Sequence, residues 1–172
     1  MEEILEGKRI LIVDDEVDIL DTLSELLDMC LVDTAPNFET AEKFLNKNNY
    51  DAAILDIMGV RGYDLLKLTK EKNVPALMLT AHALSPDNLV KSIRGGAQSY
   101  VPKDKITDIT IFLADILKSS KKGTKKDGTW FTRLKPFFDK NFGSGWRKEH
   151  KEFWKDFDDK YHASKEDVEK LM

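Results

Sequence analysis

Asp56 ends a short apolar run, Ala52-Ala53-Ile54-Leu55, and Asp14, Asp15 and Glu16 end another, Ile10-Leu11-Ile12-Val13. A carboxylate at the end of a buried strand can be a nucleophile, a metal ligand, or a cap for the strand end and its turn. Three adjacent acids repel one another, so a cation or a basic partner is expected beside them. Asp14 or Asp15 could equally cap a following helix. Two more groups close apolar runs further along: Thr80 after Ala76-Leu77-Met78-Leu79, and Lys103 after Tyr100-Val101-Pro102. Taken singly, Thr80 could be a plain strand former, Lys103 a surface lysine paired with Asp104, and Tyr100 a half-buried strand aromatic.

The runs that carry these residues alternate with helical patterns. Continuous apolar runs of four or five residues read as strands buried on both faces. Between them, Ile19, Leu20, Leu23, Leu26 and Leu27 recur at helical spacing, as do Phe38, Ala41, Phe44 and Leu45. Leu31 to Ala35 reads as a strand, Tyr63 to Lys72 as a short helix, and Ser85-Pro86 as a helix start that runs to Gly95-Gly96. Ile106 to Lys118 gives a fifth helix. Five strands alternating with five helices predict a parallel α/β sheet, doubly wound. In the order 2-1-3-4-5, strands one and three are neighbours and their carboxyl ends form the ligand crevice, where Asp14, Asp15 and Asp56 converge.

Val13-Asp14-Asp15-Glu16, Leu55-Asp56, Leu79-Thr80-Ala81 and Tyr100-x-x-Lys103 together resemble the receiver domain of two-component response regulators, across residues 8–118. The resemblance implies a flavodoxin-like fold and a phosphorelay. Asp56 would be the phosphoacceptor, taking its phosphoryl group from a sensor histidine kinase or a phosphotransfer protein. Asp14, Asp15, Asp56 and the Met58 backbone carbonyl would bind Mg²⁺, Asp14 through water. Lys103 would pair with the phosphoryl oxygens, Thr80 would donate its hydroxyl to one, and Thr80 and Tyr100 would form the switch. Beyond its own phosphorylation and dephosphorylation at Asp56, no enzymatic activity is implied.

Three positions depart from that pattern. The loop after the nucleophile lacks the usual Met-Pro and reaches Gly62 early, six residues after Asp56. Proline precedes Lys103 instead of following it, so any cis X-Pro bond there would be Val101-Pro102. His82 stands two residues after Thr80. Met58, bulky and apolar, should exclude hydrolytic water and make self-dephosphorylation slow.

Residues 120–129 read as a basic linker and 130–172 as a helical, aromatic-rich extension beyond a receiver at 1–119. Residues 1–120 hold 13 Lys/Arg against 21 Asp/Glu, a net −8, while 121–172 hold 14 against 10, a net +4. Ten of the 16 aromatics fall in the last 52 residues, including all three Trp. Phe131, Leu134 and Phe138 share a helical face that Pro136 interrupts. Trp146, His150, Phe153, Phe157 and Tyr161 form a second, with Trp154 beside it. Ser164-x-x-Asp167 resembles a capping box opening a last helix. Such faces must bury against something. The receiver, a second copy, a partner protein and a membrane are the options. Interleaved acids argue against a membrane, and the lack of a coherent basic face argues against nucleic acid. The lone histidines His150 and His162 read as surface groups.

Cys30 is the only cysteine, so no internal disulfide is available. The acidic N-terminus lacks a signal-peptide pattern and no run reaches membrane-spanning length, which gives a cytoplasmic expectation. The expected function is therefore phosphoryl acceptance at Asp56, without a DNA-binding output domain, and signalling by protein–protein contact to a downstream target. The signalling surface would be the fourth helix, fifth strand and fifth helix, roughly Asp87 to Lys118, and that surface or the tail could support a homodimer. The alternative is a receiver-fold scaffold whose aromatic tail binds a partner independently of phosphorylation.

Overall fold

Five parallel strands form one sheet in the order β2-β1-β3-β4-β5. They are β1 (Arg9–Val13), β2 (Leu31–Ala35), β3 (Ala52–Asp56), β4 (Ala76–Thr80) and β5 (Ser99–Pro102). The computed structural model describes residues 2–121 and 126–162. The central strands β3 and β4 are buried at every position, as their unbroken apolar runs require. Edge strand β2 is largely open, and Leu31 at its start is exposed.

Helices α2 (Val17–Leu26) and α6 (Ile109–Lys121) adjoin on one face of the sheet. Helices α3 (Phe38–Lys47), α4 (Gly62–Glu71) and α5 (Pro86–Arg94) line the other, α3 against α4 and α4 tied to α5 by the Tyr63 hydroxyl on Asn88. Local chemistry starts two of them: Asn37 caps α3 through Thr40 N–H, and Ser85 caps α5 through Asn88 N–H with Pro86 at the first turn. An unforeseen short helix, α1 (Glu2–Leu5), packs on α6 and buries Leu5 completely. A six-residue 3-10 segment, Lys103–Asp108, precedes α6, which continues to Lys121, three residues past the expected end. Residues 122–125 of the expected linker lie outside the described residues. All described peptide bonds are trans, Val101-Pro102 included.

Register places the strand ends side by side. Val13 pairs with Leu55, Asp56 with Leu79, and Thr80 with Pro102. The residues just past β1, at the ends of β3 and β4, and just past β5 therefore surround one crevice.

The tail folds back on this unit. Helix α7 (Thr129–Phe142) lies against β5 and α6, a 3-10 turn (Trp146–His150) touches α5, and α8 (Lys151–Lys160) follows. Two-residue strands β6 (Lys126–Asp127) and β7 (Tyr161–His162) pair in parallel. Pro136 sits inside α7 without ending it, although it removes one helical hydrogen bond. Phe131 anchors an aromatic cluster, with ring centroids of Trp154 at 5.0 Å, Phe157 at 5.1 Å and Trp130 at 5.7 Å. The sequence put Phe153 on the buried face and Trp154 beside it; the structure buries Trp154 and leaves Phe153 partly open. Trp154 packs against Phe131 of α7 and Trp146, while Phe153 lies under the Arg94 guanidinium at the margin of that contact. The Ser164–Asp167 capping box lies outside the described residues.

Candidate functional site

Asp14 follows the last residue of β1 and is 1% exposed; Asp56 ends β3 and is 6% exposed. Lys103 reaches over both from the far side of β5. Its ammonium stands 2.9 Å from Asp14 Oδ2, 3.2 Å from Glu16 Oε1 and 3.6 Å from Asp56 Oδ1, with only 8% of the side chain exposed. The basic partner expected for the acidic trio is thus Lys103, and its partners are Asp14, Glu16 and Asp56, not Asp104. Glu16 entered the sequence reading only as one member of that trio; its contact with Lys103 could not be read from spacing.

Neither Asp14 nor Asp15 caps α2: its N-cap is Glu16, with no side-chain cap bond, and Asp14 Oδ1 instead closes a local turn by accepting from Glu16 N–H at 2.9 Å. Asp14 Oδ2 is buried and faces the Lys103 ammonium. Carboxylate oxygens of Asp14, Asp15 and Glu16 all lie within 4.8 Å of one another. Asp15 itself is exposed, and the backbone at Gly59 approaches it so closely that a Cβ there would collide with its carboxylate. Gly59 has φ +86°, in the region that favours glycine, and a Cβ on Gly62 would strike the Asp56 carbonyl oxygen. The short loop after Asp56 is therefore built on two glycines, one pressed on each acid-bearing strand end. Met58 lies in this loop and is 55% exposed.

The charges pay heavily for proximity. Burial raises the Asp56 carboxyl to about 7, with the Asp14 and Asp15 charges adding to it and Lys103 opposing. Burial also raises Asp14, against the Glu16 N–H and Lys103. For Lys103 burial acts downward, but the Asp14 and Asp56 carboxylates outweigh it and the ammonium is held above its ordinary value. Hard carboxylate oxygens gathered within 4.8 Å of one another at the strand end suit a small divalent cation, and this all-oxygen donor set is the sign of fit.

Thr80 ends β4 and is buried; its Oγ1 accepts from Ala83 N–H at 3.1 Å. Tyr100, expected to be half-buried, is wholly buried, because α7 covers it. Its hydroxyl donates to the Ala83 carbonyl at 2.8 Å and accepts from Ser85 N–H at 3.2 Å. Burial raises the phenol well above its ordinary value.

Residues 10–112 match the response regulator receiver domain. The two-component response regulator ARR10 of Arabidopsis thaliana is 33% identical over 123 residues, covering 67% of this chain and 22% of that protein. The heme response regulator HssR of Staphylococcus aureus is 35% identical over 98 residues, covering 54% of this chain and 43% of that protein. The matched part of the chain thus spans less than half the length of these relatives. Among solved structures, a CheY-like receiver domain protein from Methanospirillum hungatei superposes with a TM-score of 0.63 at 27% identity, covering 69% of this chain and all of the other. A response regulator from Chloroflexus aurantiacus gives 0.59 at 29% identity, over 66% and 99% of the two chains. Among the described residues no helix is long and apolar enough to cross a membrane. The match over residues 10–112, on a sheet of the expected order, places this chain in the response regulator receiver-domain family.

Proposed function

We propose that the chain accepts a phosphoryl group on Asp56 and signals by protein–protein contact. The observation that carries this reading is the Lys103 ammonium, held within 3.6 Å of Asp56 and 2.9 Å of Asp14 in a buried pocket. An Asp56 carboxylate oxygen attacks the phosphorus of a phosphohistidine on a sensor kinase or phosphotransfer protein. The P–O bond forms as the P–N bond breaks, and the imidazole leaves carrying the ring proton. Lys103 neutralises charge on the transferred oxygens, and the Thr80 hydroxyl, which uses only a lone pair on Ala83, keeps its proton to donate. Asp14, Asp15, Asp56 and the Met58 carbonyl would hold Mg²⁺, which when bound supplies positive charge beside the phosphoryl oxygens.

Catalysis here is positioning and charge neutralisation, and the only turnover is the making and loss of the Asp56 acyl phosphate. The test is incubation with acetyl phosphate and Mg²⁺, read by intact mass. Wild type gains one phosphoryl group and Asp56→Asn gains none; an unmodified wild type would favour the scaffold reading instead.

A further inference from the structure

Lys103 carries one positive charge and faces three carboxylates. Its ammonium lies 2.9 Å from Asp14, 3.2 Å from Glu16 and 3.6 Å from Asp56. The first two distances allow a hydrogen bond and the third does not, so the residue proposed as phosphoacceptor is the one Lys103 holds least closely. The three acids also differ in setting. Asp14 and Asp56 are buried, whereas the Glu16 side chain is 48% exposed.

Glu16 is built to keep its share of the ammonium. It occupies the N-cap of α2, where a short polar side chain would turn back onto the first helical N–H groups. The longer glutamate makes no such bond and instead accepts from Lys103 Nζ. Its own N–H is fixed by Asp14 Oδ1 at 2.9 Å. Asp14, Glu16 and Lys103 thus close a triangle: Asp14 holds both the Glu16 backbone and the ammonium, and the Glu16 carboxylate holds the ammonium from a second side.

We infer that Glu16 is a positioning residue that holds Lys103 back from Asp56 and so limits how fast Asp56 takes up a phosphoryl group. This rests on the phosphoacceptor reading above. An ammonium has three N–H donors, and each one spent on a resting carboxylate is withheld from the transferred oxygens. As the phosphoryl group reaches Asp56, charged acceptors appear there and the ammonium moves onto them. Glu16 competes for the same donors throughout. Its charge also stands near the path of an anionic phosphoryl donor, an effect that needs no lysine, so the two effects separate when Lys103 is removed.

Glu16→Gln keeps the size of the side chain and removes its charge. The full chain and the variant are treated with acetyl phosphate at saturating Mg²⁺, and initial rates are read by intact mass. The variant is expected to be about three- to fivefold faster, the effect of taking one half-exposed ion pair out of the competition. The same substitution is then made in Lys103→Met, where the acceleration is expected to vanish because its route is gone. A crystal structure of Glu16→Gln without Mg²⁺ is expected to show Nζ within hydrogen-bond distance of Asp56. A phosphorylated wild type with a variant no faster overturns the inference and leaves the phosphoacceptor reading standing. Equal acceleration in the Lys103→Met background also overturns it, since the Glu16 charge then acts on the donor directly. So does a variant whose ammonium stays 3.6 Å from Asp56, as in the present structure. No phosphorylation of wild type at all overturns both.

Discussion

Lys103 and Asp14 form a buried ion pair, 2.9 Å from Nζ to Oδ2, that bridges the end of the edge strand β5 to the end of the inner strand β1 across the Asp56 carboxylate. The pair leaves the ammonium poised over Asp56 without committing it there, since Asp56 Oδ1 is 3.6 Å away. Lys103→Met keeps much of the side-chain volume and removes the charge. It is expected to slow phosphorylation by acetyl phosphate by on the order of a hundredfold, measured as initial rate by intact mass. A rate within twofold of wild type would show that Lys103 serves the resting acids only.

Asp56 lies in a field that resists its charge, from burial and from Asp14 and Asp15 together. Asp56→Asn removes one of the repelling carboxylates without changing shape. In Mg²⁺-free buffer at about pH 8 the variant should be more stable to urea than wild type, by on the order of 1 kcal/mol. Addition of Mg²⁺ should stabilise wild type and narrow the gap.

Gly59 is pressed against the Asp15 carboxylate at positive φ. Gly59→Ala should cost about 1–2 kcal/mol through backbone strain. It should also displace Asp15, so the rise in thermal midpoint on adding Mg²⁺ shrinks. A lost midpoint with a normal Mg²⁺ response would separate strain from ligation.

Arg133 faces the buried Asp115 carboxylate across the α6–α7 contact. Arg133→Met should destabilise the chain by on the order of 1–3 kcal/mol, because it removes a two-pronged charged partner from a buried carboxylate. Chemical denaturation followed by tryptophan fluorescence reads this at the tail, where all three tryptophans lie.

The sheet and its strand-end residues were legible because each is a local signal. An unbroken apolar run predicts a buried strand, and the residue that ends it falls at the crevice wherever the strand lies in a parallel sheet. Thus order along the chain put Asp14 and Asp56 at the crevice, while the resemblance to receiver domains picked out Thr80 and Lys103. The tail was harder. Its stripe was visible, but Trp154 rather than Phe153 is the more buried of the pair because it packs on Phe131 and Trp146, and spacing alone does not say which flank of a stripe meets its neighbours. The docking surface was also hidden, since an aromatic face does not specify what it covers. One signal was available: Asp115 interrupts the apolar run Ile111-Phe112-Leu113-Ala114-Asp115-Ile116-Leu117, and an acid there needs a cation from elsewhere. Arg133 supplies it. The role of Ala83 had no sequence signature, because it acts through its backbone.

The most direct test of phosphoryl acceptance at Asp56 is to locate the modification chemically. An acyl phosphate on aspartate is reduced by borohydride to homoserine, which peptide mass mapping assigns to a position. After acetyl phosphate and Mg²⁺, the account predicts homoserine at position 56 and none when EDTA is present. Homoserine at another position, or none at all in the Mg²⁺ sample, would contradict it.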